Sequence, residues 1–366
     1  MNKNIWKKYA KVLVEYSTNI KKNDIVIIRG EAQAQPLILA VYEEVLEKGA
    51  HPLVRIILDG LTESYYKFAT DEQFDFIDPF TKFEYEKIDK IITIGAPYNT
   101  KNLTKINPTK LARRSKATRI LSDNLLQRSA KGCLSWVICD FPTNALAQEA
   151  KMSLSDYEEF LLKACYLHLD DPVAKWKEIR KKQEKFVKYL NNIQKIHIIG
   201  EKTDLTMLTK DRKWVNCAGS NNFPDGEIFT SPLEDSANGE IYFDFPAIYR
   251  GNESNGICLK FENGKVIHAS AEKGEEFLLK MIDQDEGARL IGEIAIGTND
   301  MIQDITGNIL FDEKIGGSIH LALGASYPET GGKNQSGLHW DIIKSMKSGK
   351  IYADDILIYE DGKFLI

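Results

Sequence analysis

The sequence predicts two domains: an α/β N-terminal domain on a mostly parallel sheet, then an α+β, mainly antiparallel C-terminal domain. Three observations carry that prediction. Short β-prone runs alternate with amphipathic helical stretches through the first half, the pattern of strands joined by covering helices. After a long charged helix the pattern changes to closely spaced short strands and turns. The chain's 366 residues exceed what one simple core fills, and 43% hydrophobic residues can fill two.

Taken in order, residues 25–28 form the first strand and 36–48 an amphipathic helix. Pro36 suits its first turn and Gly49 its stop. Strands at 53–57, 90–94 and 136–139 follow, with helical patterns between them, so a parallel sheet covered by helices is expected. The helix at 172–192 starts after Asp170 and Asp171 and buries a narrow stripe of Val173, Trp176, Ile179, Phe186 and Leu190. Read as the inter-domain connector, it divides the chain into residues 1–185 and 186–366. Beyond it, strands are predicted at 196–199, 241–245, 257–261 and 266–269. Asn263-Gly264 between the last two is a strong hairpin signal, and Asp361-Gly362 marks another. One helix, 275–284, interrupts the strands.

Composition excludes several functions. A net charge of −5 supplies no basic field for nucleic acid. Residues 1–16 mix Lys and Glu among apolar residues, unlike a signal peptide, and no run is apolar enough to span a bilayer. Cys133, Cys139, Cys165, Cys217 and Cys258 are odd in number and scattered, without a CxxC pair, as expected of reduced thiols in a cytoplasm. The first strand leads into Arg29-Gly30-Glu31-Ala32-Gln33, which is no dinucleotide fingerprint, and GxxxxGK[ST], GxSxG and HExxH are all missing.

The chemistry lies in the second half. In Gly337-Leu338-His339-Trp340-Asp341, strand alternation projects His339 and Asp341 to one face while Leu338, Trp340 and Ile342 pack behind. Such a pair can hold a cation; it also fits a plain surface pair. His320 sits in a similar run, Ser318 to Ala322. Glu293 stands alone in an apolar strand, which is costly unless it meets a cation or an exposed edge. Glu227 begins a β run after a turn between two prolines. Glu313 lies seven residues before His320, where Gly316-Gly317 could turn its carboxylate back or leave it in solvent. Together these residues make an oxygen-rich set with two imidazoles and no thiolate, suited to two divalent ions such as zinc, cobalt, manganese or magnesium.

Segments 224–232, 292–299, 309–327 and 339–341 resemble, in order, the M29 metallopeptidases, a group of thermophilic aminopeptidases. Phe141-Pro142-Thr143-Asn144-Ala145 and residues 150–169 extend the likeness over most of the chain. The resemblance implies that Glu227, Glu293, Glu313, His320, His339 and Asp341 ligate two metals that activate a water. It implies Glu293 as catalytic base and Tyr327 as the residue steadying the transition state. It further implies a cytoplasmic homodimer acting on peptides with a free N-terminus, its first domain covering the site or closing a dimer cavity. Another two-metal dipeptidase or carboxypeptidase, or a non-catalytic metal or small-ligand binding protein, is the competing reading.

Overall fold

The computed structural model describes residues 3–366. The chain divides into two compact units, one running to Trp176 and including Gly219–Pro224, the other Lys177–Ala218 with Asp225–Ile366. The division falls inside the helix Pro172–Leu190.

The first unit is built on a five-stranded parallel sheet in the order His51–Ile57, Ile25–Glu31, Lys90–Gly95, Ser135–Asp140, Asn222–Phe223. Its inner strands are aliphatic on both faces: Val26, Ile27, Ile28, Ile91, Ile92 and Ile94 are all buried. That is what a parallel sheet needs once crossover helices cover it. The helix Gln35–Glu47 carries its proline in the first turn and ends at Lys48, followed by Gly49 at φ 70°. The helix Pro108–Ala130 is capped by Asn107, whose side chain accepts from Thr109 N–H. The parallel α/β arrangement expected from the sequence is thus observed.

The second unit is antiparallel, again as expected. An eight-stranded sheet includes Asn238–Phe243, Ile257–Glu262 and Lys265–Ser270, the last two joined by the hairpin at Asn263-Gly264. The turn at Asp361-Gly362 joins Ile356–Glu360 to Lys363–Phe364. The strand expected at 241–245 stops at Phe243, because Asp244 uses its carboxylate to accept from Ser345 N–H and Pro246 has no N–H for a ladder. A second sheet, in the order His339–Ser345, Ser318–Gly324, Ile291–Gly297, Glu227–Thr230, Val215–Cys217, carries every candidate ligand but Glu313, which follows the short helix Ile309–Asp312. Ile196, Leu205, Ile241 and Leu259 of the larger sheet share one core with Ile294, Ile296, Ile319, Leu321, Leu323, Trp340 and Ile342 of the smaller. Among the described residues no helix is long and apolar enough to cross a membrane.

Candidate metal centre

Because side chains alternate along a strand, placing Ile294, Ile296, Leu321, Leu323, Trp340 and Ile342 in the core turns Glu293, His320, His339 and Asp341 to the other face. Register then decides who meets whom. Ala322 pairs with both Asp341 and Glu293, Gly324 with His339, Ala295 with His320, and Gly297 with Glu227. Each candidate ligand on this face therefore has Ala or Gly across the ladder on at least one side, His320 also facing Ile343 and Glu227 facing Cys217, and the small residues leave room between the polar side chains.

Two further features place Glu227. Gly226 precedes it at φ 127°, and a Cβ there would lie 2.9 Å from the Cβ of Asn299, so only glycine fits this close approach. Gln183 donates from Nε2 to the carbonyls of Glu227 at 2.7 Å and Cys217 at 3.0 Å, tying both strands to the long helix.

The side chains converge. His320 Nε2 is 3.2 Å from Glu293 Oε1, 3.6 Å from Glu227 Oε2 and 3.9 Å from Asp341 Oδ1. His339 Nε2 is 3.5 Å from Asp341 Oδ1 and 3.7 Å from Glu293 Oε2. Three sets offer ligand atoms within 4.8 Å of one another: Glu227, Glu293 and His320; Glu293, His339 and Asp341; Glu313, His320 and Asp341. All six carboxylate and imidazole residues singled out in the sequence are brought together. Tyr327 lies beside them, its ring edge-on to His339 at 5.1 Å and to Phe229 at 5.5 Å, with 44% of its surface exposed.

The donor set fits a metal for a reason visible in its hydrogen bonds. His320 Nδ1 is 3.1 Å from the carbonyl of Glu313, and His339 Nδ1 is 2.9 Å from that of Ala325. A carbonyl only accepts, so each Nδ1 carries the hydrogen, and each ring when neutral would turn a bare Nε2 toward carboxylate oxygens. Acceptors thus face acceptors, and only a proton or a cation can join them. Glu227 Oε2, buried and accepting no hydrogen bond, has the same need.

Protons can meet part of that need. Burial would lower the His320 pKa, yet the Glu293 hydrogen bond and the charges of Glu227 and Asp341 raise it to about 9. His339 likewise rises, against burial, to about 10, chiefly through Asp341. Burial pushes Glu227 up to about 8 despite Lys314. For Asp341 burial is outweighed by His339, which holds it at about 2.

Sequence reasoning missed Lys314 and Asp225. The Lys314 side chain is fully buried, with Nζ 2.6 Å from Glu227 Oε1, 2.6 Å from Glu313 Oε1 and 3.6 Å from Asp225 Oδ1. Burial would lower its pKa, but Glu227, Glu313 and Asp225 hold it well above the usual lysine value. Asp312-Glu313-Lys314 before two glycines reads as a solvated turn, and adjacency to Glu313 was the one available signal. Asp312 serves the backbone: its carboxylate accepts from Thr306 N–H and Oγ1–H and from Gly307 N–H.

Comparison with known proteins agrees over nearly the whole chain. The profile of the family described as "Thermophilic metalloprotease (M29)" matches residues 2–364. Aminopeptidase 2 of Geobacillus stearothermophilus is 28% identical, over 88% of this chain and 83% of that protein. Aminopeptidase T of Thermus thermophilus is 26% identical, over 97% and 95%. The solved structure of wild-type AmpT from Thermus thermophilus covers 100% of both chains at a TM-score of 0.87 and 23% identity, a likeness of fold.

Proposed function

The chain belongs to the M29 family of thermophilic metalloproteases and is a hydrolase of peptides, and from that premise we propose that it is an aminopeptidase releasing N-terminal residues with the help of two divalent metals. The observation that carries this reading is the face on which two imidazole Nε2 atoms and buried carboxylate oxygens confront one another. The names of the relatives, all aminopeptidases, support the choice of an N-terminal bond.

Glu227, Glu293, Glu313, His320, His339 and Asp341 would hold the ions, and their oxygen-rich chemistry suits zinc, cobalt, manganese or magnesium. Bound divalent ions supply Lewis acidity, which lowers the pKa of water and polarises a peptide carbonyl. Glu293, at the middle of the cluster, takes the proton from the attacking water and returns it to the departing amine. Tyr327, alongside His339, donates its hydroxyl hydrogen to the oxyanion of the tetrahedral intermediate, a contact worth about 2.7 to 4 kcal/mol where such donors have been removed. The substrates are peptides with a free N-terminus, and the protein works as a cytoplasmic homodimer, residues 1–185 serving dimerisation.

The test joins metal analysis to an assay. Purified protein is expected to hold about two divalent ions per chain. It should lose hydrolysis of Leu-p-nitroanilide on chelation, regain it with cobalt or zinc, and leave N-acetylated peptides intact. Equal cleavage of N-acetylated peptides would point to another kind of peptidase. Metal-independent inactivity with little bound metal would make the protein a binding module.

A further inference from the structure

The three ligand sets are not equivalent, and Lys314 is the reason. Glu227, in the first set, and Glu313, in the third, each pair with its ammonium at 2.6 Å. The set of Glu293, His339 and Asp341 contains no residue that Lys314 pairs with, although the ammonium charge reaches Asp341 from farther off. An ion held by Glu227 or Glu313 must share their oxygens with a fixed positive charge; one held by Glu293, His339 and Asp341 need not.

Nor can the ammonium withdraw. Its side chain has no exposed surface, so it cannot swing into solvent. Its backbone is pinned as well: Lys314 N–H donates to Phe311 O, and its carbonyl accepts from Asn299 N–H at 3.0 Å. Asn299 in turn donates from Nδ2 to Asp225 O at 2.9 Å, so the segments bearing Lys314 and Asp225 are one knot.

Charge balance explains why a lysine is tolerated here. Five carboxylates meet in this cluster: Asp225, Glu227, Glu293, Glu313 and Asp341. Two divalent ions and one ammonium neutralise them, whereas two ions alone leave one buried negative charge.

We propose that Lys314 grades the metal centre: one ion binds tightly at Glu293, His339 and Asp341, and the second binds weakly and exchangeably at the Glu227 and Glu313 side, opposed by the lysine ammonium. The inference rests on the two-ion reading above and makes Lys314 a positioning residue, acting through ligands that it touches. Like charges a few ångströms apart in a buried site repel strongly enough to separate the two affinities by about tenfold or more.

The experiment is a calorimetric titration of the chelator-stripped, full-length chain with Co2+, with visible absorption recorded to report the ligand field of each ion. The native chain should show two classes of site at least about tenfold apart. His339→Ala should abolish the tight class, and Glu313→Gln should weaken only the other. Lys314→Met should tighten the weak class by about tenfold while changing the tight one less than about threefold.

Two equal classes in the native chain would overturn the inference and leave the two-metal reading standing. So would a Lys314→Met chain whose classes shift together or whose weak class weakens further. If Lys314→Met does not fold, Lys314→Gln carries the same test of the charge, and equal classes in the native chain still overturn the inference. A native chain that binds no Co2+ would overturn the metal centre itself, and the inference with it.

Discussion

In the parallel sheet of the first unit, the inner strands Ile25–Glu31 and Lys90–Gly95 bury aliphatic side chains on both faces. In the five-stranded antiparallel sheet of the second unit, Ile291–Gly297 and Ser318–Gly324 are buried from end to end, yet one of their faces carries Glu293 and His320 among Ala and Gly. Burial thus has different consequences in the two sheets. Aliphatic strands gain stability from the area they remove from water, about 25 cal/mol per Å2. Buried carboxylates and imidazoles cost free energy until a cation joins them, so the second sheet is held in a form that asks for a ligand.

The strongest way to break this contrast is to remove the charge at its centre. Glu293→Gln should lower kcat by about 10^2 to 10^4, the usual contribution of a general acid–base group, and weaken metal binding, while the circular dichroism spectrum stays native. Unchanged turnover would mean that the polar face is structural. The counterpart in the parallel sheet is Ile27→Ala, at a fully buried core position. It should cost about 2 to 5 kcal/mol of stability in urea unfolding and leave metal affinity unaltered.

A subtler probe attacks the space between the ligands. Ala322 lies between Asp341 and Glu293 on the ladder, so Ala322→Val adds methyl groups where an ion would sit. A stability loss of about 1 to 3 kcal/mol is expected, together with reduced metal stoichiometry. Full metal content in that variant would show that the small residues are not there to make room.

The smallest effect concerns the loop that leads into His339. Asp285 accepts from Gly337 N–H at 2.8 Å, Ser336 Oγ–H at 2.7 Å and Ala288 N–H at 2.9 Å. Partial burial raises its pKa, but these donors, Gly337 foremost, hold it below the usual aspartate range. A depressed folded pKa stabilises above the unfolded value, about 3.9, and that contribution fades as pH falls through the folded value. Asp285→Asn should therefore be destabilising at pH 7 and progressively less so below pH 4, as read from urea melts at both pH values. A penalty independent of pH would assign the loss to geometry instead of charge.

Much of this was legible in the sequence where the information is local. Pro36 and Gly49 bracket the observed helix Gln35–Glu47, and Asn263-Gly264 and Asp361-Gly362 sit at observed hairpin turns. The lone Glu293 in an apolar strand already required a partner, and alternation already put His339 and Asp341 on one face. Lys314 escaped, because its sequence neighbours describe a turn while its burial comes from strands and loops far along the chain.

By itself, then, the sequence determined the kinds and order of the elements and the identity of the residues able to take a cation, since periodicity, turn chemistry and side-chain type act over a few neighbouring positions. Only the tertiary structure decided which oxygens face which nitrogens, where alanine and glycine open space, and that a lysine is sealed among carboxylates. Those follow from the register between strands remote in sequence, and a one-residue slip would turn each side chain to the opposite face.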